Sequence, residues 1–331
     1  MSHSPAERPT VCIVVPGYNE EAVLPELWRR LSAVTAAAAG YAFRFIFVDD
    51  GSRDRTYAVM ATLALSDPRI TAIKLSRNFG KEAAMTAGLD HADADWVVVI
   101  DADLQDPPEL IPDLLAKAQQ GFDVVYARRH VRLGETWQKK FFAHLFYRLM
   151  SALNPGFQLP SDTGDYRVMS ARAVRAINQL RETHRFMKGI FAWVGFPSAE
   201  LLYDRDPRRN GASKFGFIKL LNLAIDGITS FSTAPLRIAT YMGLLVSIVA
   251  FLFAIAIVVK TLIYGDPVAG FPTLVTSILF IGGVQLLCLG IIGEYVGRIY
   301  GESKQRPLYL IEQSVSQDAA GSPVQRPFQA K

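Results

Sequence analysis

Short apolar runs alternate with amphipathic segments over the first 130 residues. Five of the runs are rich in β-branched residues and are predicted to be strands: 11–15, 43–48, 70–75, 96–100 and 124–127. The segments between them carry the periodicity of amphipathic helices. Such alternation predicts an α/β fold with a mostly parallel sheet that is covered by helices on both faces.

Two longer apolar segments follow near the C-terminus. Residues 238–259 and 267–293 contain no charged side chain, and each exceeds the roughly 20 residues that cross a hydrocarbon core. We therefore predict transmembrane helices at 236–263 and 273–297. Arg237 precedes the first uncharged segment, Arg298 follows the second, and the connecting turn has no Lys or Arg. By the positive-inside rule, both chain ends are predicted to be cytoplasmic.

These changes in composition divide the chain. Residues 1–205 are predicted to form a soluble domain, 206–235 a juxtamembrane loop with an amphipathic helix, and 298–331 a tail. The tail is rich in Ser, Gln and Pro after Glu312 and is predicted to be disordered. Residues 135–149 read as a basic amphipathic helix with an aromatic face, which suits either a membrane interface or packing on the sheet.

Charge and cysteine usage exclude some classes of protein. The net charge of +4 over 331 residues is small, so no nucleic-acid partner is predicted. Cationic side chains concentrate instead at 128–140 and 205–219. Cys12 and Cys288 lie inside a predicted strand and an apolar helix, so no disulfide framework is indicated and a reducing compartment fits. The first ten residues are polar, and no secretory signal is predicted.

Polar residues follow three of the predicted strands. Asn19 and Glu20 come after the first, Asp49 and Asp50 after the second, and the sequence Asp101-Ala102-Asp103 after the fourth. In such sheets ligands bind beyond the carboxyl ends of the strands. Two carboxylates separated by one residue suit a hard cation that also binds substrate phosphates. Taken alone, the D-x-D pattern is weak, because most acidic loops are simply solvated.

The first two turns read in two ways. Tyr18 could stack on a base, and a carboxylate could accept a hydrogen bond from a base or ribose. Alternatively, Asn19, Ser52 and Asp54 serve turn and helix-cap chemistry. Residues 76–80 form a polar strand end that leads to a helix with Lys81, where a nucleotide contact and a simple helix start are both open.

Six motifs taken in order carry a family resemblance. They are PGYNE, VDDGSRD, KLSRNFGKEAAMTAGL, DADLQDPPEL, TGDYRVMS and RRNGASKFG. Together they resemble the A-type-fold (GT-A) glycosyltransferases of family 2, in the polyprenyl-phosphate branch that contains dolichyl-phosphate mannose synthases and bacterial bactoprenol glucosyltransferases. The resemblance extends through both apolar segments and implies a Rossmann-like domain that binds a nucleotide sugar.

The resemblance also implies site residues. Nucleotide contacts fall at Pro16, Tyr18, Glu20 and Asp50, with Asp49 beside them, and Lys81 joins them as a cofactor-binding candidate from its place after the polar strand end. Contacts to Mg²⁺ or Mn²⁺ fall at Asp101, Asp103 and Gln105, and Asp165 faces the reacting centre. The metal would support departure of the nucleoside diphosphate as a Lewis acid. A phosphate monoester with a second pKa of about 6 is mostly dianionic at pH 7. An acceptor that is already dianionic does not require a strong general base. Asp165 is therefore either a base or a residue that orients sugar hydroxyls and Arg167.

An anionic acceptor requires cations near the membrane. The candidates for the acceptor phosphate are Arg128, Arg129, Arg208, Arg209, Ser213 and Lys214, and Arg209 and Lys214 join Asp103 and Asp165 as predicted catalytic residues. Arginine binds phosphate as a planar fork and lysine as a point charge. The alternative is that these cations set the topology or bind anionic headgroups.

The family resemblance, with these observations, implies an inverting transfer from UDP-glucose to undecaprenyl phosphate at the cytoplasmic face of a bacterial inner membrane, for modification of envelope glycans or lipids. Donors carrying aminoarabinose, N-acetylhexosamine or mannose remain alternatives. A processive polysaccharide synthase fits less well, because the sequence lacks a Q-x-x-R-W motif. A non-enzymatic nucleotide-binding scaffold is the alternative of another class. Small residues in the second apolar segment suit helix contacts, so a homo-oligomer is predicted, and the resemblance suggests a tetramer.

Overall fold

The computed structural model describes residues 8–129, 163–203, 229, 232–264, 270–318 and 322–329. The strands are β1 Thr10–Gly17, β2 Ala42–Asp49, β3 Ile70–Leu75, β4 Trp96–Val99, β5 Val124–Arg129, β6 Thr163–Ser170, β7 Ser198–Tyr203, β8 Ile311–Gln317 and β9 Pro323–Gln329. The helices are α1 Leu24–Ala37, α2 Thr56–Ser66, α3 Lys81–His91, α4 Ile111–Ala118, α5 Ala171–Gln179, α6 Met187–Trp193, α7 Ala234–Tyr264 and α8 Phe271–Ser303, with a 3₁₀ turn at Pro108–Leu110.

One sheet runs through the first unit in the order β7-β5-β6-β4-β1-β2-β3-β8-β9. The predicted α/β class and the five predicted strands are confirmed. The expectation of a mostly parallel sheet is wrong, because β4 and β5 pair antiparallel with β6, and β3–β8 and β8–β9 are also antiparallel. The strands β6 and β7, which the apolar pattern did not indicate, contribute to this mixed half of the sheet.

The centre of the sheet is buried on both faces. Residues 11–15 of β1 are at most 2% exposed, which explains their unbroken apolar run. Helix α3 packs closely over β1, and Gly88 makes this approach possible. A Cβ at Gly88 would lie 2.2 Å from Val14 Cγ1. The N-terminus of α3 is thereby held near the carboxyl ends of the central strands.

The C-terminal tail is part of this sheet, so the predicted disorder after Glu312 is wrong. Strand β8 pairs with β3, and β9 pairs with β8. Ile311 and Val315 are each 4% exposed and enter the core, and Tyr309 Oη donates to Asp90 Oδ2 at 2.7 Å. The tail has a polar composition because the apolar residues that face the core alternate with polar residues on the opposite face of the strand.

The second unit comprises residues 221–305 and contains α7 and α8. Both predicted membrane segments fall inside these helices, which are long and apolar enough to cross a membrane. Their large apolar side chains are mostly exposed. Within this unit, Tyr295 Oη of α8 donates to the carbonyl of Ser232, which precedes α7, at 2.6 Å. The predicted interface helix at 135–149, and most of the predicted loop at 206–235, lie outside the described residues.

Candidate functional site

The D-x-D loop begins directly where β4 ends. The Ile100 N–H still bonds to the Val14 carbonyl at 3.1 Å, so Asp101 is the first residue beyond the sheet. Leu104 adopts a left-handed φ of 57°, and Asp103 Oδ1 accepts the Gln105 N–H at 3.1 Å. This local bond fixes the turn and places the Asp101 and Asp103 carboxyl groups on one loop at the sheet edge.

Asp165 reaches the same edge from β6. Because Arg167 pairs with Val99 in the antiparallel register, Asp165 lies beyond the end of β4. Lys81, the first residue of α3, joins the two acids. Its Nζ lies 2.7 Å from both Asp101 oxygens and 2.5 Å from Asp165 Oδ2. The structure thus brings together three residues that are separated by up to 84 positions in the sequence.

The three charges shift one another's pKa. Desolvation acts to lower the pKa of Lys81, but Asp101 and Asp165 outweigh it and raise that pKa. Desolvation acts to raise the pKa of Asp165, but Lys81, Lys188 and Arg167 hold it below its ordinary value. Burial keeps the pKa of Asp101 raised in spite of Lys81. Lys81 is therefore protonated and Asp165 ionised at neutral pH.

Further charged residues surround Asp165, and sequence reasoning missed two of them. Arg167 is 4% exposed, its guanidinium lies 3.7 Å from the Phe191 ring centroid, and burial lowers its pKa to about 10. Burial also lowers the pKa of Lys188. Burial and the Asp165 charge raise the pKa of Glu82 to about 7. Glu82 and Lys188 were overlooked because an acid in a first helical turn and a lysine in an apolar segment are ordinary features.

Asp49 and Asp50 support the neighbouring turns. Asp50 accepts the Phe79 and Gly80 N–H groups at 2.8 and 3.0 Å, and Asp49 accepts that of Ser52 at 3.2 Å. Burial raises the pKa of both acids. Between these turns, Gly51 has a φ of +66°, and a Cβ there would lie 2.3 Å from a backbone carbon. Only glycine fits this approach, which holds the start of α3 in place.

The first turn is tied to the second by side chains. The Asn19 N–H donates to Ser52 Oγ at 2.9 Å, Asn19 Oδ1 accepts the Arg53 N–H at 2.9 Å, and the Glu20 N–H donates to Thr56 Oγ1 at 2.8 Å. The turn-forming interpretation is confirmed for Asn19 and Ser52. Pro16 is buried, Glu20 is half-buried and Tyr18 is exposed. Their contacts to a nucleotide remain predictions.

The donor set fits a hard divalent cation that shares its coordination with a substrate. Among the described residues, no group of three His, Cys, Asp or Glu side chains surrounds a metal position. Mg²⁺ is commonly held by one or two carboxylates plus substrate phosphates. Over the same residues, Asp165 Oδ1 and Gln105 Nε2 are buried without a hydrogen-bond partner, which leaves one acceptor and one donor for a substrate.

The predicted acceptor cations are mostly beyond what the structure describes. Arg128 Nη1 donates to Glu200 Oε2 at 2.9 Å, and both side chains are about two-fifths exposed. Such an exposed pair contributes about 0–1 kcal/mol, so an anion could compete for Arg128. The backbone of Arg129 ends β5, and its side chain lies outside the described residues. The residues Arg208, Arg209, Ser213 and Lys214 lie entirely outside the described residues.

Comparisons with known proteins identify the family of this chain. Residues 12–177 match the model of glycosyl transferase family 2, and residues 234–299 match a GtrB C-terminal hairpin. An uncharacterized glycosyltransferase of Synechocystis is 47% identical over 90% of this chain and 93% of its own length. The bactoprenol glucosyl transferase of Shigella phage SfV is 45% identical, over 91% of this chain and 98% of its own.

Solved structures resemble the chain more remotely. Glucosyl-3-phosphoglycerate synthase from Mycobacterium tuberculosis, determined with Mn²⁺ and UDP-glucose, is 20% identical with a TM-score of 0.43, over 66% of this chain and 76% of that chain. A likeness at that level carries no information about the metal or sugar that this chain binds.

Proposed function

Since the chain belongs to glycosyl transferase family 2, we propose that it transfers glucose from UDP-glucose to a polyprenyl phosphate such as undecaprenyl phosphate. The observation that carries the proposal is the convergence of Asp101 and Asp165 on Lys81 Nζ at the carboxyl edge of the sheet. Relatives over nine-tenths of the chain are named bactoprenol glucosyl transferases, which supports this donor and acceptor.

The proposed reaction is one in-line displacement. An oxygen of the lipid phosphate bonds to the anomeric carbon as the bond from that carbon to the UDP oxygen breaks, which inverts the configuration. Asp101 and Asp103, with Gln105 beside them, would hold Mg²⁺ or Mn²⁺. Such an ion stabilises the charge on the departing diphosphate. The dianionic acceptor carries its own nucleophilic charge at pH 7.

Asp165 acts on this reaction as an anion. Lys81 and Arg167 keep its pKa low, so it can accept a hydrogen bond from a sugar hydroxyl or take up a proton. The Asp165 backbone carbonyl accepts Arg167 Nε at 3.2 Å, which fixes the strand at this point. Both the orienting role and the base role place Asp165 against the donor sugar.

The acceptor phosphate is assigned to Arg128, Arg129, Arg208, Arg209, Ser213 and Lys214. Of these, Arg128 projects from β5, two strands away from β4 in the sheet. Arg129 is the last residue of the same strand, and the other four precede α7 in the sequence. We assign Arg209 and Lys214 the largest part, because a forked guanidinium and a point charge together match two phosphate groups.

We place the chain in the bacterial cytoplasmic membrane, anchored by α7 and α8, as a homo-oligomer with the tetramer as its expected form. Strand β8 follows α8 in the chain and pairs with β3, which precedes α7. This pairing supports an even number of crossings, with both termini on the cytoplasmic side. Labels at Ser2 and near Lys331 should then be inaccessible from outside intact cells, and external labelling of either would contradict the topology.

A donor panel tests the function. Purified full-length protein is incubated with undecaprenyl phosphate, Mg²⁺ and UDP-glucose, UDP-N-acetylglucosamine, a UDP-aminoarabinose-type donor or GDP-mannose, and the lipid product is identified by mass. We expect glucosyl phosphoryl undecaprenol as the main product, with Asp103→Asn as the inactive control. Preference for another sugar overturns the donor, and the absence of any lipid product favours the scaffold alternative.

A further inference from the structure

The ammonium group of Lys81 occupies the position between the two principal acids of the site. It contacts both oxygens of Asp101 at 2.7 Å and one oxygen of Asp165 at 2.5 Å. Its side chain is still 44% exposed, whereas those of Asp101 and Asp165 are 22% and 10% exposed. The lysine therefore neutralises the acids from the solvent side, where a ligand would approach.

Cations already share this position with the acids. Lys81, Arg167 and Lys188 lie among Glu82, Asp101, Asp106 and Asp165. Of these cations, Lys81 is the one in direct contact with Asp101. A free divalent cation bound at Asp101 would therefore be placed close to an ammonium group. The diphosphate of a nucleotide sugar supplies the negative charges that match the metal.

We propose that Lys81 makes metal binding depend on the donor diphosphate. A divalent ion alone has to displace the ammonium from Asp101 and accept its repulsion at close range. When the diphosphate arrives with the ion, it compensates the metal and offers the ammonium a new anionic partner. This inference rests on the metal-dependent function proposed above, and it adds that Lys81 excludes metal from the empty site.

Metal binding and nucleotide binding are thermodynamically coupled in this proposal. If the nucleotide tightens metal binding by some factor, the metal tightens nucleotide binding by the same factor. Removing the ammonium while keeping both acids should raise the affinity for the metal alone and reduce that factor. A lysine that only supports the fold would give neither change, because it would not distinguish the two binding states.

The experiment measures Mn²⁺ binding to the full-length protein in detergent micelles, by titration calorimetry and by electron paramagnetic resonance, with and without UDP. In the wild type we expect UDP to tighten Mn²⁺ binding at least ~10-fold, within the usual range of coupling between sites. In Lys81→Met we expect Mn²⁺ alone to bind ~10-fold more tightly and the effect of UDP to fall below ~3-fold.

Two further variants control for charge and fold. Lys117→Met removes a lysine whose Nζ donates to the Glu200 carbonyl at 2.6 Å, away from the acids, and should retain the wild-type factor. Lys81→Arg keeps the positive charge and should retain most of the factor by which UDP tightens Mn²⁺ binding. If Lys81→Met does not fold, Lys81→Gln gives the same test with an uncharged side chain that is polar.

The outcomes separate the two proposals. Unchanged Mn²⁺ affinity in the neutral Lys81 variants, or an undiminished effect of UDP, overturns the role of Lys81 and leaves the glycosyltransferase function intact. Failure of the wild type to bind Mn²⁺ in the presence of UDP, while product still forms in metal-free buffer, overturns the metal-dependent function itself.

Discussion

Replacing Glu82 with Gln should stabilise the protein at alkaline pH and not at acidic pH. The pKa of this carboxyl is raised from 4.5 to about 7, by burial first and then by Asp165, against smaller opposing effects of Lys81 and Lys188. The folded state therefore keeps a proton that the unfolded chain has lost between pH 4.5 and 7. Stability contributed by the protonated group falls as the pH rises through that window and is lowest above pH 7.

The magnitude follows from the size of this change. One pKa unit corresponds to about 1.4 kcal/mol, so a pKa raised from 4.5 to about 7 implies a penalty on the order of 3 kcal/mol at pH 8. Gln cannot ionise, and its amide oxygen can still accept the Met187 N–H that Glu82 Oε2 accepts at 3.2 Å. We expect a gain of about 1–3 kcal/mol at pH 8, and little change near pH 5.

The assay is urea unfolding of the detergent-solubilised protein, followed by tryptophan fluorescence at pH 5 and pH 8. Glu26→Gln is the matched control, because Glu26 pairs with Arg29 on the surface of α1 with 38% side-chain exposure. That control should change stability by less than about 0.5 kcal/mol at either pH. A Glu82→Gln protein that is less stable than wild type at pH 8, or equally stabilised at both pH values, refutes the argument.

Three further predictions concern activity and the tail. Asp103→Asn should keep the fold and cost several kcal/mol of transition-state stabilisation, and near-normal glucosyl transfer by the variant would contradict this. Lys214→Ala should lower transfer to lipid phosphate by about 1.5–3 kcal/mol but spare slow donor hydrolysis, whereas an equal loss in both reactions would assign Lys214 to the donor or the fold. Tyr309→Phe removes a hydrogen bond to Asp90, whose side chain is 4% exposed and also binds Arg181. We expect a loss of about 1.5–3 kcal/mol in unfolding free energy, and unchanged urea unfolding would show that this contact is dispensable.

The features that could be predicted from the sequence are those that depend on residues close together in the chain. The strand β1 could be predicted because its residues 11–15 are all apolar, and the D-x-D loop because its acids follow a buried strand. The position of Lys81 could not be predicted in the same way. It depends on the register between β4 and β6, which places Asp165 beside Asp101 across more than 60 residues of chain. A helix-start lysine carries no local sign of such a contact.

The tail illustrates a second reason for failure. Its pairing with β3 joins residues separated by more than 230 positions, and its Ser-rich and Gln-rich composition matches that of a disordered segment. Gln317 Nε2 donates to the carbonyls of Ala64 and Leu65 at the end of α2. Gln317 is thus one of the polar residues that suggest disorder, yet it donates hydrogen bonds to backbone carbonyls at the end of α2. This contact is evident only from the folded structure.

The return of the tail to β3 sets an order of assembly during synthesis. A ribosome makes β1, β2 and β3 first, then the two apolar helices, and β8 and β9 last. Until the final residues leave the ribosome, β3 is an edge strand with unpaired backbone groups, which is a template for aggregation. The membrane insertion that we propose for the helix pair would therefore precede a late folding step that closes this edge. A chain that stops after α8 would contain both apolar helices, Asp101 and Asp165, yet would leave the backbone groups of β3 unpaired. A cell could recognise such an unfinished product by that exposed edge strand.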